Sequence, residues 1–477
     1  MILYWKYNFM LKNKYIFILP IIILGSAACA LFLFTKNKEE NKAVKIPFVF
    51  EEMSAPAFKD NICDITSYGA INDGTTLNTE AFKKAIDDCA NKGGGTVFVG
   101  AGIWLTGAIH LQSNINLNLQ DDAKIIFSKN PDDYLPAVLT RFEGIELFNY
   151  SPFIYANNVE NVAITGNGTL DGQGESWMPW KKQESAAVQK IYEMAKENIP
   201  TEKRIFATPQ DALRPSFVQF VNSRNIWLEN FSITNSPMWT IHPIYSDNIN
   251  INNIKINTHG HNTDGIVIDS SRNVLIENSN LITGDDSISI KSGLDADGWR
   301  VAKPSENIVI RNSTISDGHS GIAIGSEMSG DVRNVIMHDI AIDNIDQGIR
   351  IKSINGRGGI VENIYAKNIT IGKATNAAFQ VDLNYDSATL VSTGEKSPTL
   401  RNFFIDNLKA NDTNYAVSLE GLDSSILSEM HFSNVKATSK KGIRVKFGKN
   451  IDFRKISITG IKKPPIFTIS DSENIKY

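Results

Sequence analysis

The sequence predicts an all-β protein, a right-handed parallel β-helix in which a solenoid of short strands is closed at its N-terminal end by a helix. Three observations support this fold class. A phrase of the form Asn-apolar-x-apolar recurs about every twenty to forty residues, which is typical of solenoid coils with loop insertions. Runs of Val and Ile alternate with Asn, Asp, Gly and Ser, as in short strands joined by polar turns. The segments between these runs are too short for the crossover helices of a doubly wound sheet.

The repeated asparagine indicates a structural turn. Its positions are Asn161, Asn225, Asn248, Asn273, Asn307, Asn334 and Asn363, with Asn402 as a late member. An asparagine side chain bonds nearby backbone groups and tolerates left-handed backbone geometry. Asparagines stacked on successive coils can also form a hydrogen-bonded ladder. We therefore interpret these residues as scaffold.

Two segments depart from the repeat. Residues 79–91 carry apolar side chains on one side of a helical pattern, and we expect a helix there that covers the N-terminal end of the core. Residues 173–214 interrupt the coils with a second helical stretch near 184–198. An insertion of this length over a solenoid is often functional. We expect residues 58–477 to form the β-helix domain.

The N-terminus predicts export. Residues 1–34 contain an apolar run that follows three lysines, and positive charge before an apolar segment leaves the bulk of a protein outside. This run is a cleaved signal peptide, a lipoprotein signal with Cys29 as the acylated residue, or an uncleaved anchor. The protein is accordingly expected to be secreted, periplasmic or membrane-anchored. Residues 35–57 have the composition of a linker.

Composition narrows the choice of partners. The formal net charge of −4 provides no overall basic field for nucleic acid. Membrane contact is expected only through the N-terminal segment, and we expect a monomer. A polyanionic substrate would have to be bound by local cations. Cys63 and Cys89 are either a disulfide of an exported protein or two small buried thiols.

Four coils bring charged residues to one wall. Their isoleucines share one strand parity and are expected inside; they are Ile266, Ile288, Ile322 and Ile349. This alignment puts Asp264 and Asp286 at one position on adjacent coils, about 4.8 Å apart. Asp285 aligns in the same way with His319, one coil further on. The same wall receives Arg350 and Lys352.

Carboxyl groups stacked this closely repel one another when charged, so at least one pKa is expected to be raised. A protonated carboxyl group beside ionised ones is what glycosidic cleavage requires, since one group protonates the leaving oxygen and another activates water. Each Asp alone is explained by a turn, and a calcium site would also explain the cluster. The alignment with a histidine and an Arg-x-Lys pair favours catalysis.

Four phrases on these coils resemble glycoside hydrolase family 28, the polygalacturonases of the pectin lyase-like β-helix superfamily. They are Asn262-Thr263-Asp264, Gly284-Asp285-Asp286, Gly318-His319-Ser320 and Arg350-Ile351-Lys352. The resemblance extends over about residues 62–455. It implies inverting hydrolysis of α-1,4-galacturonosyl linkages in pectin, without a metal or other cofactor.

The resemblance also implies a role for each residue. Asp285 would be the general acid, Asp264 and Asp286 would hold and activate water, and His319 would tune the acid. Substrate binding is expected of Arg350, Lys352, Asn262, Lys291 and Tyr385. We lean towards exo-cleavage because the 173–214 insertion could close one end of the cleft.

Other functions remain open at this point. A rhamnogalacturonan hydrolase or a pectate lyase would share the fold, and a lyase would need calcium and an arginine base. A non-catalytic carbohydrate-binding β-helix would show a stripe of outward aromatic residues, and no such stripe is evident in the sequence. The phrase His259-Gly260-His261 looks like a metal motif, but it has no apparent third ligand and is more typical of a loop.

Overall fold

The computed structural model describes residues 48, 50, 52–385, 394, 396–462 and 464–477. Residues 1–34, for which export was predicted, with Cys29, and most of the predicted linker 35–57 lie outside these residues. Within the described part of the chain, no helix is both long and apolar enough to cross a membrane.

Strands dominate the described residues. In the N-terminal half they are β1 (Ile62–Asp64), β2 (Asp73–Leu77), β3 (Gly95–Val99), β4 (Gly102–Thr106), β5 (Ile109–His110), β6 (Ile115–Leu119), β7 (Ala123–Phe127), β8 (Val138–Phe142), β9 (Ile145–Asn149), β10 (Ile154–Asn157), β11 (Glu160–Gly166), β12 (Thr169–Asp171), β13 (Ile205–Phe206), β14 (Val218–Val221), β15 (Arg224–Glu229), β16 (Ser232–Thr234), β17 (Ile241–Ile244), β18 (Asp247–Asn252) and β19 (Lys255–Asn257).

The remaining strands belong to the later coils, and five of them are 11 to 23 residues long and continue through corners of the helix. They are β20 (Ile266–Asp269), β21 (Arg272–Glu277), β22 (Asn280–Ile282), β23 (Ile288–Lys291), β24 (Ser305–Arg311), β25 (Thr314–Ile324), β26 (Val332–Lys352), β27 (Ile360–Asp382), β28 (Thr399–Glu420), β29 (Leu427–Ser433), β30 (Lys436–Lys446), β31 (Gly448–Arg454), β32 (Ser457–Thr459), β33 (Phe467–Ser470) and β34 (Glu473–Lys476). The α-helices are α1 (Thr79–Asn91), α2 (Ser185–Lys196) and α3 (Asp295–Val301), and short 3-10 helices cover Ile65–Tyr68, Pro131–Tyr134, Gly174–Ser176, Met178–Lys182 and Thr201–Lys203.

Each strand of one coil pairs in parallel with the equivalent strand of the next coil. The strands β14, β17, β20 and β23 follow one another in this way, as do β15, β18, β21 and β24, and also β16, β19 and β22. The predicted parallel β-helix is therefore confirmed. We call the sheet formed by β14, β17, β20, β23 and the C-terminal segments of β25, β26, β27, β28 and β30 the site sheet.

The strand parity assigned from the sequence is also confirmed. The four isoleucines predicted to lie inside pair coil to coil and are fully buried. Burying one such side chain contributes about 1.5–3 kcal/mol. Because the inward residues fix the phase of each strand, they also fix which side chains project from the site sheet.

The asparagine ladder is present as predicted. Asn161, Asn225, Asn248, Asn273, Asn307, Asn334, Asn363 and Asn402 all have φ between 54° and 61°. The side-chain amide of Asn225 donates to Asn161 at 3.0 Å, that of Asn334 to Asn307 at 3.0 Å, and that of Asn363 to Asn334 at 3.0 Å. Each coil is thus hydrogen-bonded to the previous one at the same corner.

The N-terminal helix α1 spans the residues for which a helix was predicted from the sequence. Its buried face consists of Ala81, Phe82, Ala85, Ile86 and Cys89. Cys63 and Cys89 are buried free thiols, which agrees with the second of the two alternatives. Burial raises the pKa of the Cys89 thiol to about 12.

A second layer lies outside the β-helix, over the site sheet. The antiparallel hairpin β8–β9, extended by β13, packs with α2 and α3 around an apolar cluster that includes Phe142, Ile191, Leu294, Trp239 and Val267. The helix α2 corresponds to the second helical stretch of the insertion. The hairpin and α3 were not predicted, because neither has a distinctive local pattern.

Candidate active site

The coil register assembles the carboxylates on the site sheet. The Gly265 amide donates to the Asp286 carbonyl at 3.0 Å, which sets Asp264 beside Asp286. On the next coil, the His319 amide donates to the Asp285 carbonyl at 3.1 Å. The main chain therefore places these residues on three consecutive coils.

Asp285 is held by three donors. The Asn262 and Asp286 amides donate to its carboxylate at 3.2 and 3.0 Å, and Nδ1 of His319 lies 3.3 Å from Oδ1. Burial raises the pKa of Asp285, but the hydrogen bond from His319 and the charge of Lys352 outweigh burial and bring it below its usual range. The same hydrogen bond raises the pKa of His319 to about 9. Near neutral pH the pair therefore carries one proton, on the imidazole side.

Asp264 has the opposite environment. It is buried, and the Ser289 hydroxyl donates to its Oδ2 at 2.7 Å. Burial and then the charge of Asp285 raise the pKa of Asp264 well above its usual value. The raised carboxyl pKa expected from stacked acids is therefore found at Asp264, whereas that of Asp285, the expected acid, is lowered.

Lys352 and Arg350 stand beside the carboxylates. Lys352 Nζ donates to Asp286 Oδ2 at 2.8 Å. Arg350 lies 3.6 Å from Asp382, and both cations lie over the Tyr385 ring, at 4.9 Å for Arg350 and 5.2 Å for Lys352. Burial lowers the pKa of Lys352, but its interactions with Asp286, Tyr385 and Asp285 together outweigh burial, and the pKa is raised. Both cations therefore lie beside carboxylates and against the Tyr385 ring.

Two residues expected to bind substrate have other contacts. Lys291 is buried and donates to Glu327 at 2.7 Å and to the Gly325 carbonyl at 3.2 Å. The side chain of Asn262 accepts from Arg214 at 2.8 Å and donates to Glu143 at 3.4 Å. Lys291 is thus an ion-pair partner of Glu327, and Asn262 contacts Asp285 through its main chain, while substrate binding by the two side chains stays a prediction.

Sequence reasoning missed the residues that support Asn262. Arg214, fully buried, also donates to the carbonyls of His261 and Pro237 at 2.7 and 3.1 Å. Glu143 lies at the tip of the β8–β9 hairpin, and burial raises its pKa to about 7. Both residues are distant in sequence from the carboxylates, so only the folded chain reveals the contact.

The His259-Gly260-His261 phrase behaves as a loop. The carbonyl of His261 accepts from Arg214. In the described ranges, no group of three or more His, Cys, Asp or Glu side chains is arranged to hold a metal ion.

The second layer covers the N-terminal side of the site sheet. Side chains that project from this part of the site sheet would be exposed to solvent without the second layer. With it, Trp239, His242, Val267 and Asp269 are only 0–2% exposed. Arg141 of the hairpin donates to Asp269 at 2.7 Å, and both side chains are inaccessible. The second layer therefore buries the side chains that project from the site sheet at these four positions.

An outward aromatic column exists on a different sheet, contrary to the expectation from the sequence. Tyr365 stacks on Phe404 with ring centroids 5.1 Å apart and planes 9° apart, and Phe404 stacks on His431 at 5.0 Å. Because the rings face one another, their faces are covered by their neighbours. The column therefore does not form a platform on which sugars could stack.

Comparison with known proteins assigns the chain to a family. A model described as glycosyl hydrolases family 28 matches residues 112–457. The chain belongs to glycosyl hydrolases family 28. The resemblance seen in the four sequence phrases is thereby confirmed.

Individual proteins are similar to this one over most of the chain. A probable polygalacturonase of Vitis vinifera is 33% identical over 397 residues, covering 80% of this chain and 76% of that protein. An exo-poly-alpha-D-galacturonosidase of Dickeya chrysanthemi is 27% identical over 407 residues, covering 79% and 67%. A hyperthermoactive exopolygalacturonase from Thermotoga maritima has TM-score 0.77 and 40% identity, covering 88% of this chain and 93% of its own.

Proposed function

We propose that the protein is an exo-acting polygalacturonase that hydrolyses α-1,4-galacturonosyl linkages with inversion. The observation that carries this proposal is the wall on which Asp264, Asp285 and Asp286 meet His319 beside two charged cations. The relatives named above, a polygalacturonase and two exo-acting galacturonosidases, support the substrate class.

Asp285 is proposed as the general acid, acting together with His319. Their shared proton rests on the imidazole in the free enzyme, and His319 Nδ1 is within 3.3 Å of Asp285 Oδ1. Transfer along this contact gives a neutral carboxyl group that can protonate the leaving oxygen. Asp285 is also held by two amides, which fix its direction.

Asp264 and Asp286 are proposed to hold the attacking water, and Asp286 to accept its proton, because burial raises the pKa of Asp264 and favours the protonated form of that group. Asp286 is paired with Lys352 and Asp264 with the Ser289 hydroxyl, so one oxygen of each group is engaged and the other can contact water. In inverting hydrolysis the acid and the base act from opposite faces of the sugar, with a water between them. No metal is required for these steps.

Arg350 and Lys352 are proposed to select an acidic sugar. Guanidinium and ammonium groups bind carboxylates by charge-assisted hydrogen bonds. Tyr385 lies against both cations and would orient them and contact the sugar ring. Lys291 and Asn262 would support the carboxylates from behind.

Exo-action is supported by the closed end of the cleft. The hairpin β8–β9 and α2 cover the coil that precedes Asp264, so a long chain cannot continue in that direction. An exo-enzyme would release short products from a long oligogalacturonide from the first time point. Early fragments of intermediate length would rule this part of the proposal out.

Export through residues 1–34 is part of the same proposal, because a pectic polymer must be met outside the cell. The pattern of lysines followed by an apolar run supports it. Metabolic labelling with palmitate would separate lipidation at Cys29 from simple cleavage.

The deciding experiment is reducing-sugar release from polygalacturonate in EDTA by wild type, Asp285→Asn and Asp452→Asn. Asp452 forms a comparable ion pair with His431 on another sheet, so it controls for loss of an Asp–His pair. We expect Asp285→Asn to lose about 10²–10⁴ in rate and Asp452→Asn to keep wild-type activity. No release by wild type would refute the proposed activity. An unsaturated product would identify a lyase.

A further inference from the structure

A second Arg-x-Lys pair lies on the site sheet, closer to the C-terminus. Arg444-Val445-Lys446 in β30 repeats the arrangement of Arg350-Ile351-Lys352 in β26. Both pairs have a buried apolar residue between two cations, so both project their charges from the same sheet.

The two pairs occupy the same register. Arg350 aligns with Gln380, then Ser418, then Arg444, on successive coils. Lys352 aligns by the same three steps with Asp382, Glu420 and Lys446. Three coil spacings amount to about 14 Å. The second pair therefore continues the line of the first, along the axis and away from the covered end.

An aromatic ring accompanies each pair. Tyr385 lies under Arg350 and Lys352, and Tyr415 lies 5.1 Å from Arg444 and 4.7 Å from Lys441. Tyr415 aligns through Ala377 with Gln347, which aligns in turn with Ser320 of the active-site coil. The second cluster thus again combines cations with an aromatic ring, although Tyr415 precedes and Tyr385 follows the aligned cation positions along the chain.

The charges of this cluster are not balanced. Arg444 donates to the Ser418 hydroxyl at 2.9 Å and pairs with Glu420 at 2.7 Å. Within the described residues, Glu420 is the only carboxylate in an ion pair with Lys441, Arg444 or Lys446. Lys441 and Lys446 therefore have no ion-pair partner among the described residues, and Lys441 is exposed on the surface.

We propose that Lys441, Arg444 and Lys446, with Tyr415, form a distal subsite that binds galacturonate units of a long chain whose end is cleaved at Asp285. This inference rests on the proposed function and adds where the uncleaved part of the polymer is held. The covered N-terminal end leaves this direction for the polymer, and the subsite provides cations and an aromatic ring along it. Glu420 and Asp382, which lie between the two pairs, orient Arg444 and Arg350 by their ion pairs.

The test measures binding by calorimetry in an Asp285→Asn background, so that no substrate is consumed. The double variant Arg444→Ala/Lys446→Ala is compared with Arg401→Ala/Lys449→Ala, which removes the same residue types from another sheet, where they pair with Glu362 and Glu473. We expect the first to bind polygalacturonate about tenfold more weakly at low salt, a factor that corresponds to about 1.4 kcal/mol. Trigalacturonate, too short to reach the subsite, should bind to both variants alike. Lys441→Glu, at an exposed position, should weaken polymer binding in the same direction.

Equal polymer affinity in the Arg444→Ala/Lys446→Ala and control variants would overturn the proposal, as would an equal loss of affinity for trigalacturonate. Hydrolysis of trigalacturonate by the wild-type protein is measured in parallel. If the wild type fails to hydrolyse trigalacturonate while the difference in polymer binding persists, the proposed activity is wrong and the polyanion site stands. If hydrolysis proceeds and the difference is absent, the activity stands and the subsite is wrong.

Discussion

Charged residues are arranged in opposite ways on two sheets of the same β-helix. On the sheet of β15, β18, β21 and β24, one column reads Glu160, Arg224, Asp247, Arg272, Glu306, Arg333, Glu362 and Arg401 on successive coils. We call this the charge ladder. Acids and bases alternate in it, and ion pairs form between neighbours, as at 2.9 Å for Arg272–Asp247 and 2.8 Å for Arg401–Glu362. On the site sheet, by contrast, Asp264 and Asp286 occupy adjacent coils and are buried.

This difference distinguishes a structural column of charged residues, the charge ladder, from the candidate active site. Alternating charges that are exposed to water stabilise the stack only weakly. Like charges stacked out of water raise the pKa of Asp264 and require Lys352 and Lys291 nearby. A repetitive fold makes the contrast informative, because both columns repeat at the same coil spacing. Such a stack of acids is a functional signal that no single Asp provides.

The largest effect should follow from Asp264→Asn. We expect kcat on polygalacturonate to fall by about 10²–10⁴, while the free energy of unfolding at pH 7 stays equal or rises. The reason is that a carboxyl group whose folded pKa is raised destabilises the fold once pH exceeds its unfolded pKa. Initial rates and chemical denaturation measure the two effects, with Asp247→Asn as the control from the charge ladder. Lower stability together with retained activity would contradict the comparison.

The next largest effect should be on stability. Lys352→Met removes one partner of a buried ion pair and leaves Asp286 without its cation. We expect a loss of about 3–5 kcal/mol in the free energy of unfolding, read from urea denaturation. Arg272→Met, which breaks an exposed pair with Asp247, is the matched control. A similar small loss in both variants would mean that the site sheet is no different from the charge ladder.

The pH profile should show a smaller and more specific effect. The pKa of His319 is raised to about 9 by its bond to Asp285, so the imidazolium loses its proton as pH rises through that value. We expect kcat/KM to fall above about pH 9 in the wild type. In His319→Gln the proton must be held by Asp285 alone, and the alkaline limb should move to lower pH. Rates on trigalacturonate from pH 4 to 10 would measure this, and an unmoved limb would exclude His319 as the proton reservoir.

The smallest effect is expected on the charge ladder itself. Arg224→Ala removes an exposed ion pair with Glu160, and exposed pairs of this kind contribute about 0–1 kcal/mol. Stability should therefore stay within about 1 kcal/mol of wild type, and activity should not change. Thermal unfolding and reducing-sugar assays would show it. A large loss in either would break the distinction between the two sheets.

Much of the fold could be predicted because a solenoid repeats local rules. The parity of Ile266, Ile288 and Ile322 depends only on neighbours along a strand, and so does the left-handed turn at each ladder asparagine. The site residues Asp264 and Asp286 followed from the same alignment. The local environment of each side chain could not be predicted in this way, because a contact such as that of Lys291 with Glu327, 36 residues away, follows no repeat of the sequence.

The sequence by itself determined the coil register, and with it which charged residues share one wall, because alternation along strands and the asparagine turns specify phase residue by residue. Only the tertiary structure decided which of those residues are buried and in which direction the pKa of each buried carboxyl group is shifted. It also decided where the second layer covers the site sheet. Burial and long-range pairing set those properties, as with Arg141 on Asp269, 128 residues apart, and Arg214 on Asn262. Such contacts depend on how the second layer packs on the site sheet, and they are formed only when the chain has folded.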